Sequence, residues 1–299
     1  MALAAKHHGG PFNKQFKEYE QPWHIQKFEP VREWLNEMEP QYLKQKSAAE
    51  QNKYLALVAA VLQQASDDLF GANASEEDKK RMTKLPAKLF SSFEPNGGLC
   101  LIMECTFKYR IEMGWKLDAI EGVLLNKKEA GKHVELFLRI EKAVLNAGLL
   151  TRPRVFLSAG LSKEEKAQLK EIVQAHNGSL VNKREGASHE IIPADAPEDE
   201  EEADYCRSLE TQDKMAKVHW WYYPDSYQEW KSLMEIDGDP EDPIPPPLVW
   251  KVSARFLKDL DKYNEWMNEE DYMEQSEEEA AGEETEGAAN AATTGGKRK

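Results

Sequence analysis

Basic residues are scarce in this chain: 39 Lys and Arg stand against 54 Asp and Glu among 299 residues, a formal net charge of −15. Such a chain does not steer itself onto phosphate backbones, so direct DNA binding is not expected, although a local basic patch is compatible with that total. Cysteine is scarcer still. Cys100, Cys105 and Cys206 are too few and too irregularly spaced for a disulfide framework or a zinc site, and they fit a reducing intracellular compartment. No apolar run approaches the roughly 18 residues that span a bilayer, and no secretory signal is visible, so no membrane partner is expected. The motifs of catalysis are lacking as well: there is no GxSxG, HExxH or GxGxxG, and Gly97-Gly98 is not followed by the Lys and Ser/Thr that would hold phosphates. Without a nucleophile or an acid–base pair, no enzyme, no cofactor and no small-molecule substrate is expected.

What is present is organised in blocks. Residues 1–27 are mixed polar without periodicity and read as a flexible terminus, and His7-His8 reads as part of it rather than as a metal site. Residues 28–150 carry helical stripes: Val31, Trp34, Leu35 and Met38, then Leu55, Val58, Leu62, Ala65 and Leu69 up to Gly71. A charged connection, 72–84, follows. Leu99, Ile102, Met103, Thr106 and Tyr109 stripe another helix after the Asn96-Gly97-Gly98 turn, and Val134, Phe137, Ile140 and Val144 stripe one more, closed by Gly148. These are core faces of an all-α domain.

At Arg152-Pro153 the pattern changes. Val155–Leu157 reads as a buried strand, Ser162 and Glu165 form a capping box that starts a helix near Lys163, and Asn177-Gly178 ends it in left-handed conformation. Ser179–Val181 and His189–Ile192 are further strands, so 151–193 opens a small α/β domain with a parallel sheet. Residues 194–248 hold an acidic loop, 195–204, and the aromatic strip Val218–Trp230, which a Pro224-Asp225-Ser226 turn interrupts. Asp237–Asp242 gathers carboxylates but lacks the spacing and twelfth-position Glu of a calcium loop, and reads as a proline-braced turn. His219 beside the strip is either ligand-facing or a strand histidine with a structural partner. The acidic tail, 273–299, cannot bury enough apolar surface to fold, and its closing Lys297-Arg298-Lys299 is a short basic signal compatible with nuclear import.

Tyr223-Pro-Asp-Ser followed by Trp230 resembles the core of chromodomains. That resemblance implies an aromatic cage for methylated lysine, held by cation–π attraction. Trp220 and Tyr223 match two cage positions, and Tyr205 on the preceding strand would supply the third; the family's glycine before the second aromatic is Tyr222 here. The other reading of the strip is a packed hydrophobic corner without a ligand. Residues 151–193 resemble the first half of a BRCT domain and Val249–Tyr272 its last strand and helix, with Phe256 where most members place Trp. Some BRCT domains hold phosphoserine through Ser/Thr-Gly after the first strand; Ser158-Ala159-Gly160 misses that pair by one position, which leaves Ser158 and Gly160 as the candidate phosphate-binding residues.

Taken in order, these parts are similar to the amino-terminal module of the SMARCC/Moira family, scaffold subunits of SWI/SNF (BAF) chromatin-remodelling complexes, whose helical part is MarR-like. TKLPAKLF at 83–90, IEKAVLNAGLLTRP at 140–153, HWWYYPDSY at 219–227 and NEWMNEEDY at 264–272 carry the likeness, which covers roughly residues 28–272. It implies an α+β multidomain chain: an all-α MarR-like helical domain, then a split α/β BRCT domain carrying a small β chromodomain-like insertion, then a disordered acidic tail. It further implies a non-catalytic nuclear scaffold whose partners are other SWI/SNF subunits, with histone tails as a further partner through the strip. MarR-like folds often read DNA, but Lys79-Lys80-Arg81 falls beside Glu76-Glu77-Asp78 in a linker, which points to protein contact. Full-length family members continue into SWIRM, SANT and coiled-coil regions that these 299 residues lack, so a truncated paralogue competing with full-length subunits is the alternative. The aromatic anchors expected at interfaces are Trp23, Trp34, Trp115, Trp221 and Trp230.

Overall fold

The computed structural model describes residues 19–44, 46–71, 74–126, 130–194, 205–212, 214–221, 227–235 and 246–273. Helices α1 (Pro22–Gln26), α2 (Glu29–Met38), α3 (Ala48–Phe70), α4 (Glu76–Lys79), α5 (Gly98–Glu112), α6 (Ile120–Leu124) and α7 (Val134–Asn146) surround one hydrophobic core. The stripes select its lining: Val31, Leu35, Leu55, Leu62, Leu99, Ile102, Phe137 and Ile140 are fully buried. At the start of α3, the Ser47 amide donates to Glu50 Oε2 at 2.8 Å, closing a capping box that satisfies donors the first turn leaves free. The helical region begins earlier than residue 28, which corrects the flexible stretch expected up to 27. Pro22 opens α1, and Tyr19 meets the buried His24 ring edge-on at 4.5 Å. A five-residue helix is shorter than two turns and leaves no stripe to read.

The second core belongs to a parallel sheet. Strands β1 (Arg154–Leu157), β2 (Ser179–Leu180), β3 (His189–Ile192) and β7 (Trp250–Ser253) stand in the order β2-β1-β3-β7, every pair parallel. Helix α8 (Lys163–Ala175) links β1 to β2, and α9 (Arg255–Tyr263) follows β7. As the capping signal predicts, Ser162 Oγ accepts from the Glu165 amide at 3.1 Å, and Asn177 ends α8 at φ +60°. Phe256 is the hub of this core: it stacks on His189 at 5.5 Å and meets Tyr272 edge-on at 5.5 Å. Between β3 and β7 the chain makes a separate antiparallel sheet of β4 (Tyr205–Gln212), β5 (Met215–Trp221) and β6 (Tyr227–Ser232). The four-stranded sheet is therefore assembled from two separated stretches of sequence.

The helical and α/β cores meet across a polar seam. Asn264, in left-handed conformation at φ +54° and 1% exposed, donates through Nδ2 to the carbonyls of Phe70 at 2.9 Å and Met82 at 3.0 Å. Its own carbonyl accepts from the Lys84 amide at 2.8 Å. The Lys84 ammonium lies 2.6 Å from Asp67 Oδ1 and 2.6 Å from Glu265 Oε2, with only 19% of the lysine side chain and 21% of the Glu265 side chain exposed. Burial pushes the Lys84 ammonium toward its neutral form, but the two carboxylates outweigh it and hold the pKa above the ordinary value. Beside them Thr83 Oγ1 and His176 Nδ1 are 3.1 Å apart, and burial keeps His176 below its usual pKa, hence neutral at pH 7.

Asn264 does two jobs at once, and they can be separated. Asn264→Ala removes two buried bonds to carbonyls at about 1 kcal/mol each and adds about 1 kcal/mol because Ala lacks the short polar side chain that eases Asn into the left-handed region. Urea unfolding should show a loss of about 3 kcal/mol, and Asn264→Gly should recover about 1 kcal/mol of it. Wild-type stability in Asn264→Ala would mean that the seam does not couple the two cores.

Candidate interaction surfaces

The three-stranded sheet is fastened to the helical lobe by one row of residues running across its strands. Glu210 on β4 pairs with Lys217 on β5, which pairs with Trp230 on β6. Because residues directly opposite in an antiparallel ladder share a face, the row presents a carboxylate and an indole to α1 together. There Lys27, at the end of α1, sits beside a pair of rings, its ammonium 5.3 Å from the Trp23 centroid and 5.7 Å from that of Trp230. Glu210 Oε1 reaches it at 3.3 Å, and the two indoles meet edge-on at 4.8 Å. Two cation–π contacts and an ion pair thus converge on one ammonium. A groove of about 760 Å³ opens beside it, lined by Trp23, Lys27, Glu29, Glu33, Phe93 and Gln212.

The residues singled out in the sequence fall as follows. Trp23 and Trp230 are half-buried against each other; Trp34 donates from Nε1 to Asn96 Oδ1 at 3.1 Å; and Trp115 meets Tyr109 and His133 edge-on. Tyr223 lies outside the described residues, and Tyr205, His219, Trp220 and Trp221 are described for their backbone alone. Tyr205 pairs with Trp221, and Cys206 with Trp220, so Tyr205 and Trp220 hold ladder positions of opposite parity. A pocket using both would form at the strand ends, where the ladder stops. His7, His8 and Asp237–Asp242 also lie outside the described residues. Ser158, 8% exposed, donates its amide to Ile191 O at 3.0 Å, and Gly160 lies so close to Pro193 that a β-carbon would stand 3.1 Å from its Cγ. Lys79 and Arg81 are taken up by Glu76 and Asp78 at 3.1 and 3.6 Å. Among the described residues no helix is long and apolar enough to cross a membrane, and no group of three or more His, Cys, Asp or Glu could hold a metal ion.

Lys27 and Glu210 carried no sequence signal as a pair, being 183 residues apart. The spacing of Trp23 and Lys27, one helical turn apart, was the one local hint. Compared with known protein families, residues 5–150 match the SWIRM-associated domain at the N-terminal. That domain is a feature of SWI/SNF scaffold subunits, and the matched stretch contains α1 to α7.

Magnitudes decide which contact holds the sheet. The cation–π contacts and the half-exposed ion pair are each worth about 1 kcal/mol or less. Burying an indole contributes more, about 2 kcal/mol or above. Hydrogen exchange of amides in 205–232 should therefore rise by about fivefold or less in Lys27→Met, but by tenfold or more in Trp230→Ala. Equal effects would make the charge, not the indole, the fastening.

Proposed function

We propose that this chain is a non-catalytic subunit of a SWI/SNF-type (BAF/Brahma) chromatin-remodelling complex, acting in the nucleus as a protein-interaction scaffold in chromatin remodelling and transcription regulation. The observation that carries this reading is the match of residues 5–150 to the SWIRM-associated domain. Under it the helical lobe is the MarR-like part, the four-stranded sheet with α8 and α9 is a split BRCT unit, and the β4–β6 sheet is the chromodomain-like insert, as in the SMARCC/Moira scaffolds. The seam supports it: Lys84, Asn264 and Glu265 fix the two cores to one another, which suits a rigid docking body better than a string of independent modules. The chain's −15 charge, with Lys79 and Arg81 engaged by their own helix, favours protein partners over DNA.

The test is affinity purification of the tagged chain from nuclear extract, followed by a salt wash that strips surface charge contacts. Recovery of a remodelling ATPase with its stable subunits in comparable amounts is expected; recovery of the chain alone would end the reading.

A histone-tail reader is the second reading: Tyr205 and Trp220 hold opposite parity in the ladder, so a cage using both has to close past the strand ends that lead to Tyr223. Calorimetric titration of the full chain with histone peptides, unmodified and trimethylated at lysine, separates the two. Heat that requires the methyl groups and vanishes in Trp220→Ala supports the reader, and a flat titration leaves the strip as packing.

A further inference from the structure

Helix α8 carries lysines at 163, 166 and 170, a spacing that brings all three to one stripe of its surface. With Leu161 and Ala167 they line a groove of about 490 Å³. Leu161 is 4% exposed and, with the methyl of Ala167 and the lysine stems, gives the groove an apolar floor beneath a charged rim. The Lys166 ammonium is held over the preceding loop by the Ala159 carbonyl at 3.4 Å. Among the described residues none of the three lysines has an acidic side chain in ion-pair range, whereas Lys258 on the neighbouring helix is taken by Glu165 at 3.2 Å. The stripe begins at the first residue of a 13-residue helix, so the helix dipole adds to the positive field at Lys163 and Lys166.

From this arrangement we infer that the α8 groove is a docking site for an extended acidic peptide of a partner protein, carboxylates on the lysine rim and one apolar side chain on the Leu161 floor. The spacing selects the occupant. The lysines step along the helix by ~4.5 Å and then ~6 Å, about 10 Å in all. A lone carboxylate or phosphate meets one of them, whereas a strand carrying acids at every second residue offers charges about 6.7 Å apart and spans the set. Glu164 and Glu171 sit on the adjoining strip of the same helix, which bars a broad polyanion such as duplex DNA from lying across it. Ser158 and Gly160 are not part of the lining; they belong to the buried turn against Pro193.

The inference deepens the scaffold reading by naming a surface and the chemistry of its partner, and it rests on that reading for its biological meaning. It is tested on the purified full chain, so its failure is distinct from a failed purification of the complex. A dye-labelled peptide alternating Glu with neutral residues around one central Leu is titrated by fluorescence anisotropy. Binding that weakens as salt rises is expected. It should fall by about tenfold or more in the triple variant Lys163→Glu, Lys166→Glu, Lys170→Glu, and survive when all three become Arg. Lys163 and Lys170 are exposed and Lys166 is half-buried with one weak bond to a backbone carbonyl, so urea unfolding and circular dichroism of the reversed variant check that the fold is kept. Loss of affinity in both triple variants, equal affinity in wild type and the Glu variant, no binding to wild type, or tighter binding of a single-stranded oligonucleotide of matched charge would each overturn the assignment.

Discussion

A mostly buried lysine ammonium cannot be left alone. Stripped of water and without a counter-ion it costs several kcal/mol, far more than any single surface contact returns. Lys84 meets that condition only where Asp67, near the end of α3, and Glu265, just after α9, converge on it at 2.6 Å each. Asp67 belongs to the helical lobe and Glu265 to the α/β unit, so satisfying one charge fixes the position of one lobe on the other. Asn264 makes the constraint directional. Its amide spans two carbonyls of the helical lobe, and its left-handed backbone turns the chain out of α9 toward Trp266, which reaches within 3.2 Å of where a β-carbon on Gly178 would stand. The α/β core thus has its α8 and α9 ends held at the same seam.

What the sequence made legible was local. The stripes in α2, α3, α5 and α7 are apolar residues repeating with the helical period, and period alone tells which side goes inward. Ser162 with Glu165 and the left-handed Asn177 mark both ends of α8, because capping depends on residues within one turn. Strands β1, β2 and β3 were readable from their own short apolar runs, whereas the distant β7 was legible only through the resemblance of Val249–Tyr272 to the end of a BRCT domain. The seam was not. Asn264 and Phe70 are 194 residues apart, and nothing near either announces the other. Lys84 looked like one more charge in a charged connection, since burial is a property of the assembled fold. Residues 19–27 escaped because a helix of five residues has no period.

The aromatic strip shows how a motif can point to the right place for a different reason. Tyr205, Trp220 and Tyr223 drew notice as cage candidates and Trp230 as an interface anchor; Trp230, the one whose contacts are described, packs against the helical lobe. It joins Trp23 beside Lys27 and seats the small sheet on α1. The chemistry, a cation against aromatic rings, is the one a methyl-lysine reader uses, here turned to holding two parts of one chain together. An external ligand for the strip would have to use residues other than Trp230, or compete with Lys27 for it.

The placement of that small sheet has a consequence for the larger one. Adjacent parallel strands need a crossover, ordinarily a helix that covers one face of the sheet. Between β3 and β7 the described chain supplies the β4–β6 sheet and no α-helix. The strands record the difference. On one face Val155, Ile191 and Val252 are fully buried in the second core. On the other, the paired row Phe156, Glu190 and Lys251 is only partly buried or exposed, and Glu190 is held by Arg184 at 2.6 Å. A parallel sheet covered on both faces would read as continuous apolar runs, but these strands alternate. Spending the crossover on an insert has turned the second face from core into surface. Its polar row suits that face to water, and at the other end of the unit the Lys84 seam joins it to the helical lobe.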